Sequence, residues 1–415
     1  MIRIGKPQIE SKDGKTILKA FVTNEAENFN DWLWYETDNE YGVYFCDETA
    51  DAFVLPMIQR AVKTHQDIYV DSPISEKLCH NLNDSVFYAL GKAFEKKTGK
   101  RQGETVKIHC DNLVTLNYAP KAVGTGCSLG VDSFAVLKQY FFNNVYPSYK
   151  TTHLALFNSG AFGSTDADGA RKSFYKDTER VRKFAESIGL PFVWVDSNVR
   201  SLYLEMNFNS CHSYLNMGIV LSMQKLWRRY IYASGYSVDN LNVDFDDAAK
   251  YDPYLLPMLS TECTELISGS MNMRRSDKVK YIADDKIAQS NLYVCLKEQI
   301  INNLKNENNY YGSYLNCGQC KKCLRTMLQL EILGKLDKFR GIFDSEKWPE
   351  RREHYIAKVI AEKDKNLMFR NLYESMLENN YPIPKIPEPP KKTLFSRIES
   401  KLRDYYRRFK RRLGI

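Results

Sequence analysis

The chain has 415 residues, 43% hydrophobic and 13% aromatic, which is enough for a large core and more than one domain. Its net charge of +8 comes from the last 25 residues, which hold ten Lys or Arg and two acidic residues. The rest of the chain is neutral, which argues against a protein that coats nucleic acid. We see no apolar leader and no segment long enough to span a bilayer. With ten cysteines, we therefore expect a cytoplasmic protein whose clustered cysteines bind metal rather than form disulfides.

Residues 1–115 predict an α+β region. The stretch DWLWYETDNEYGVYFCDE (31–48) alternates aromatic and polar residues, which indicates strands. DAFVLPMIQRAVKTH (51–65) and the segment 75–99 have helical spacing. This region carries no catalytic constellation, so we expect it to pack on the rest of the chain.

Residues 116–290 alternate short apolar strands with amphipathic helices. KAVGTGCS leads into DSFAVLKQYFF, THLALFNSG leads into a long charged helix, and PFVWVDSN follows. This alternation predicts an α/β fold with a doubly wound parallel sheet. Ligands bind such sheets at the carboxyl ends of the strands, where this chain places small or polar residues.

The stretch GTGCSLGVDSFAVL (124–137) predicts a glycine-rich turn that opens a helix, which is a favourable place for an anion. Gly130 lets the backbone approach a phosphate, and Ser128 and Ser133 offer hydroxyl donors. Asp132 would repel phosphate, so we expect it to hold Mg²⁺ or to fix the loop. Neither the Walker pattern nor the dinucleotide-binding fingerprint fits, and an ordinary capped turn is the alternative.

Residues 128–133, Ser-Leu-Gly-Val-Asp-Ser, resemble the S-G-G-x-D-S signature of the PP-loop ATP pyrophosphatases, a family that includes the 7-cyano-7-deazaguanine synthases. Leu129 replaces the first glycine. The resemblance implies that the loop holds ATP, with Mg²⁺, while a substrate oxygen attacks the α-phosphate to give an adenylate and pyrophosphate. It implies catalytic roles for Ser128, Asp132 and Ser133. It assigns nucleotide contacts to Cys127, Ser128, Leu129, Gly130, Val131, Asp132 and Ser133.

Other candidate residues follow the later strands. Asn158, Ser159 and Gly160 resemble the segment that lines the adenosine in this family, although a simple glycine turn is the alternative. Arg275 and Lys278, close to Arg274, are candidates to face phosphate oxygens, and a solvated charged turn is equally expected. Cys127 is a candidate sulfur carrier, Asp196 a candidate substrate or metal contact and His212 a candidate phosphate contact. For each of these residues a structural role is favoured.

The stretch NCGQCKKCLRTM places Cys317, Cys320 and Cys323 in a C-x2-C-x2-C pattern, and Cys295 precedes them with 21 residues between. Four thiolates predict a closed, structural zinc site within a helical region at 291–380. An iron–sulfur cluster or no metal are the alternatives. The 7-cyano-7-deazaguanine synthases also carry this pattern, with an upstream cysteine at a shorter spacing.

Residues 381–392 hold five prolines in twelve residues, which predicts an extended linker. Residues 393–415 then predict a basic amphipathic helix. Such a helix suits an anionic membrane surface, here the inner face, or a protein partner; an inert solvated helix is the alternative.

The resemblance implies an ATP-dependent, AMP-forming ligase related to the 7-cyano-7-deazaguanine synthases. Its substrate would be a small molecule, a peptide or a glycan precursor, and an oligomer is compatible with the sequence. A nucleotide-binding regulatory or scaffold module without catalysis is the second hypothesis, favoured by Leu129.

Overall fold

The computed structural model describes residues 1–25, 29–101, 103, 105–162, 167–203, 206–296 and 314–384. The chain forms two compact units, Met1–Trp348 and Pro349–Ile415. The predicted linker at 381–392 lies outside the described residues beyond position 384. The predicted basic helix at 393–415 lies outside them entirely.

Most strands of the described chain belong to one sheet. The strands are β1 (Ile2–Ile4), β2 (Gln8–Lys12), β3 (Lys15–Asn24), β4 (Phe29–Asp38), β5 (Ile68–Val70), β6 (Ile74–Ser75), β7 (Ile108–Cys110), β8 (Leu113–Val114), β9 (Ala122–Gly126), β10 (His153–Phe157), β11 (Phe192–Ser197), β12 (Trp227–Ala233) and β13 (Glu265–Gly269). Their order across the sheet is β13-β12-β9-β10-β11-β4-β3-β1-β5-β7, with β2 paired to β3. Strands β6 and β8 form a separate pair.

The helices lie between and after these strands in the chain. They are α1 (Asn39–Gly42), α2 (Asp51–Val54), α3 (Ile58–Thr64), α4 (Glu76–Asn81), α5 (Phe87–Thr98), α6 (Val131–Leu137), α7 (Ala167–Ser187), α8 (Phe208–Ser222), α9 (Asp252–Met258), α10 (Arg275–Ile282), α11 (Lys286–Asn291), α12 (Lys321–Ile332), α13 (Trp348–Glu362) and α14 (Leu367–Glu378). Helix α8 is buried over most of its length, and its Tyr214 belongs to the same core as Trp227 and Tyr230 of β12.

The strands β9 to β13 are mutually parallel and lie in the order β11-β10-β9-β12-β13. The chain therefore adds β10 and β11 on one side of β9, then returns and adds β12 and β13 on the other side. The described chain is thus α/β with a mostly parallel central sheet, as the sequence predicts. In open sheets of this kind the reversal point, here between β9 and β12, leaves a crevice that binds ligands.

The N-terminal region extends this same sheet. Strand β4 pairs antiparallel with β11, with Glu36 opposite Asp196, and it also pairs along its full length with β3. The predicted strand at 31–48 is wrong beyond Asp38, because α1 follows β4 directly. The chain folds back there: Thr16 donates to the Asn39 side chain at 2.8 Å, and a Cβ on Gly42 would meet Thr16 at 2.3 Å.

The second unit contains most of α13 and all of α14, joined by a short turn. The side chain of Asn366 caps α14, and Tyr355 packs edge-on against Phe369 at 6.1 Å between ring centroids. Among the described helices of the whole chain, none combines the length and the apolar composition that crossing a bilayer requires.

Candidate metal and anion sites

Four cysteines converge near the start of α12. Cys295, Cys317, Cys320 and Cys323 are all buried, and their sulfur atoms lie within 4.8 Å of one another. The Sγ atom of Cys323 lies 3.4 Å from that of Cys320 and 3.9 Å from that of Cys317. Sulfurs bound to one tetrahedral zinc ion stand about 3.8 Å apart. The cluster could therefore hold a zinc ion with little movement of its ligands.

Backbone N–H groups point at these sulfurs. Those of Gln319 and Cys320 approach the Sγ of Cys317 at 3.5 and 3.4 Å, and that of Cys323 approaches the Sγ of Cys320 at 3.5 Å. The N–H of Cys317 approaches the Sγ of Cys295 at 3.4 Å. Hydrogen bonds of this kind favour the charged form of the acceptor, which is the thiolate that binds a metal.

Asn316 joins the two parts of the chain that supply the cysteines. Its side-chain oxygen accepts from the Val294 N–H at 2.8 Å, and its amide donates to the Leu292 carbonyl at 2.8 Å. Asn316 is fully buried, so these bonds are shielded from water. They bring Cys295 beside Cys317, although 21 residues separate the two in the sequence.

Gly318, between the first two clustered cysteines, gives a testable position. Its φ is +63°, and a Cβ there would lie 1.7 Å from the Asp344 carbonyl oxygen. Gly334, with φ +64°, has nothing within 4 Å of its Cβ position. We expect Gly334→Ala to cost about 1 kcal/mol for its backbone conformation alone. Gly318→Ala should cost several times as much in chemical denaturation and should also lower the metal content. Equal costs for the two variants would contradict this description of the turn.

The glycine–serine loop connects β9 to α6 at the point where the strand order reverses. The Ser128 N–H donates to the Ser133 hydroxyl at 3.1 Å, and the two hydroxyl oxygens lie 3.2 Å apart. The carbonyl of Gly130 accepts from the Phe134 N–H at 3.0 Å as α6 begins. A Cβ on Gly130 would lie 3.2 Å from the Ser128 hydroxyl. The loop thus gathers two hydroxyls and a helix start around Gly130, where a side chain would crowd the Ser128 hydroxyl.

Leu129 has the left-handed backbone conformation that glycine adopts most easily. Its φ is +57°, and its side chain is 2% exposed. Its carbonyl accepts from the Tyr293 N–H at 2.8 Å, which ties the loop to the segment before Cys295. For a side-chain-bearing residue this conformation costs on the order of 1 kcal/mol. Burial of the leucine side chain offsets that cost, so the loop keeps a glycine-like backbone without the glycine.

Asp132 contacts two other residues that the sequence singles out, Arg275 and Lys278. Its carboxylate accepts from the Arg275 guanidinium and from the Lys278 ammonium, the latter at 3.2 Å. Lys278 is completely buried and also donates to the Ser234 carbonyl at the end of β12. Burial alone would raise the pKa of Asp132, but Arg275 and Lys278 outweigh it and lower that pKa. The adjacent Arg274 instead pairs with Asp277 at the start of α10.

The segment after β10 lies beside the loop but turns into the protein interior. The Asn158 amide donates to Asp196 at 2.7 Å, and the Ser159 hydroxyl donates to Asn216 at 3.1 Å. Gly160 has φ +104°, and a Cβ there would overlap the Arg200 side chain. Asp196 itself is fully buried and also accepts from Arg171 at 2.7 Å. The Asn158, Ser159 and Asp196 side chains thus form their polar contacts with other residues of the protein.

Cys127 and His212 both have interior surroundings. Burial raises the pKa of the Cys127 thiol to about 12, so at neutral pH it is not a nucleophilic thiolate. Burial lowers the pKa of His212 to about 4, and its Nδ1 lies 3.1 Å from the Tyr232 hydroxyl. His212 is therefore uncharged at neutral pH, which agrees with the structural role that the sequence favours for it.

No protein-family model, no curated protein and no solved structure matches the chain significantly.

The sequence analysis missed two cations near the loop at 128–133. Lys322 and Arg325, on α12, lie near enough to affect groups of the loop: Arg325 contributes to lowering the pKa of Asp132. Lys322 is solvent-exposed, yet the protein around it partly desolvates its ammonium group. This desolvation, followed by repulsion from Arg275 and Arg325, lowers the pKa of Lys322. The sequence signal for these two cations was the basic stretch KKCLR, which we interpreted only as part of the cysteine pattern.

Proposed function

We propose that this chain is an ATP-dependent, AMP-forming ligase of the PP-loop class, related to the 7-cyano-7-deazaguanine synthases. Two independent features support the proposal. The residues 128–133 resemble the signature of that class, and the loop they form sits where the order of the parallel strands reverses. The left-handed backbone of Leu129 supports it further, because a glycine-like conformation occupies the position of the signature's first glycine.

The observation that carries the proposal is the convergence of Arg275 and Lys278 on the loop. Burying an ammonium group completely is costly, and a chain that needed only packing would place an apolar residue there. Here Lys278 contacts Asp132, in the first turn of α6, and the Ser234 carbonyl that follows β12. The arrangement suits the pyrophosphate part of a nucleotide, which presents several negative oxygens at once.

In the proposed reaction a substrate carboxylate or amide oxygen attacks the α-phosphorus of ATP. The bond to the bridging oxygen breaks, and pyrophosphate leaves with that electron pair. Negative charge grows on the leaving group, and Arg275, Lys278 and the loop N–H groups would stabilise it without rearranging. Ser128 and Ser133 would donate hydrogen bonds to the same oxygens. Mg²⁺, when bound, would neutralise part of the phosphate charge.

A catalytically inactive nucleotide-binding module is the second candidate, and the position of Asp132 favours it. Its carboxylate is engaged by two cations, rather than presented to a metal ion. In such a module Asp132 would serve only to hold Arg275 and Lys278 in place. The binding site would be the same, and the two candidates differ in whether pyrophosphate is released.

For the cysteine cluster we propose zinc as the metal. Four sulfurs within 4.8 Å of one another suit one tetrahedral ion, whereas a cluster of several iron atoms and sulfides separates its cysteine sulfurs more widely. Such a centre would be structural, because all four ligands come from the protein and no open position remains for chemistry.

The test of the ligase is pyrophosphate release from ATP, measured with and without fractionated pools of carboxylate- and amide-bearing metabolites and peptides. We expect release that depends on one fraction, with AMP formed in equal amount. Ser128→Ala should reduce it by about 100-fold, as loss of a donor to a developing charge does. Ser290→Ala, on the exposed side of α11, is the matched control and should leave it unchanged. ATP binding without release from any fraction would favour the inactive module.

A further inference from the structure

The cysteine cluster and the anion loop are joined by direct contacts. On one side, the Tyr293 N–H, two residues before Cys295, donates to the Leu129 carbonyl at 2.8 Å. The Tyr293 ring also packs under the Arg180 guanidinium, 4.1 Å from the ring centroid. The strained residue of the loop is therefore held by the segment that leads into the first cysteine.

On the other side, the cluster fixes the start of α12. Cys320 caps this helix, and its sulfur accepts from the Cys323 N–H. Lys322 and Arg325 follow on the first turns, three residues apart, so they share one face of the helix. Helix α12 packs against α10, which carries Arg275 and Lys278.

Four cations thus interact with the single carboxylate of Asp132: Arg275 and Lys278 contact it, and Arg325 and Lys322 act on it electrostatically. Lys322 forms no salt bridge with any acidic residue of the described chain, and the positive charges of Arg275 and Arg325 act on it, opposed by Asp132. Like charges held together repel, and each tends to destabilise the fold unless an anion lies between them. This surplus of positive charge acts on Asp132 of the loop, where the proposed function places a polyphosphate.

We propose that Lys322 and Arg325 are polyphosphate-binding residues and that the four-cysteine centre positions them against the loop. The inference rests on the proposed function, since it concerns the same anion. Metal bound by the cysteines would order the first turn of α12 and the segment at Tyr293 together. Anion affinity would then depend on metal content, although no cysteine touches the anion.

The test is calorimetric titration of the purified full-length protein with inorganic pyrophosphate. We expect Lys322→Gln and Arg325→Gln each to weaken binding by about 10-fold or more. Lys321→Gln is the matched control, because Lys321 is an exposed neighbour on the same helix, and it should change affinity by less than about twofold. Equal affinity of wild type, Lys322→Gln and Arg325→Gln would overturn the assignment.

The positioning role needs a separate readout. A chelator should remove the metal and weaken pyrophosphate binding, and added Zn²⁺ should restore both in parallel. In Lys322→Gln, chelation should weaken binding by a smaller factor than in wild type, because part of the loss has already occurred. Equal factors in the two proteins, or unchanged affinity after complete metal loss, would overturn the positioning role. Failure of the wild type to bind pyrophosphate would instead defeat the proposed function as well.

Discussion

Replacing Cys317 with serine should remove the bound metal and lower the free energy of unfolding by at least about 3 kcal/mol. The sulfur of Cys317 lies next to that of Cys323 and receives two backbone N–H groups, so its loss opens the cluster. A closed site contributes its metal affinity to the stability of the fold. Elemental analysis and denaturant unfolding, monitored together, would measure the two effects.

Cys263→Ser is the control for this experiment. Cys263 is also buried, but its Sγ lies 3.0 Å from the Leu116 carbonyl, a bond that a serine hydroxyl can replace. This variant should keep its metal and most of its stability. Iron with inorganic sulfide in the wild-type protein, or undiminished metal in Cys317→Ser, would contradict the zinc centre.

Asp132→Ala should destabilise the protein by about 3 kcal/mol, because it leaves the buried Lys278 without its carboxylate. Adding Lys278→Met should recover much of that loss, since the second change removes the uncompensated charge. A double-mutant cycle on the free energies of unfolding would measure this coupling. Additive effects would show that the two groups do not depend on each other.

The same pair gives a pH dependence with a definite sign. The folded-state pKa of Asp132 lies below its ordinary value, so the folded protein holds this proton more weakly than the unfolded chain does. The stabilisation is present above the ordinary carboxyl pKa of about 3.9 and is lost as the pH falls through the lower, folded-state value. Wild type should therefore lose more stability than the double variant on acidification below about pH 4.

Local patterns in the sequence were sufficient for much of the fold. The alternation of apolar strands with helices predicted the parallel core, because each such unit buries its apolar face against the next. The pairing of β4 with β11 was not predictable in this way. It depends on long-range contacts such as Thr37 donating to the Trp194 carbonyl, 157 positions along the chain.

The candidate sites were likewise only partly predictable from local sequence patterns. The C-x2-C-x2-C spacing predicted three of the cysteines directly, and Cys295 followed by counting ligands. The sequence left open whether Arg275 and Lys278 were solvated; in the folded chain Lys278 is buried against Asp132, and Arg275 is partly exposed while it pairs with the same carboxylate. Lys322 and Arg325 were missed because their relation to the loop arises only when α12 packs against α10.

We expect the loop at 128–133 to bind a polyphosphate. The affinity of the protein for inorganic pyrophosphate at several salt concentrations measures this most directly. Wild type should bind, more weakly as salt rises. Arg275→Gln and Lys278→Met should each reduce the affinity by about 10-fold or more, equivalent to about 1.4 kcal/mol. Arg340→Gln, in an exposed ion pair with Asp337, should leave the affinity unchanged. Absence of pyrophosphate binding by wild type, or equal affinity in all four proteins, would contradict polyphosphate binding by this loop.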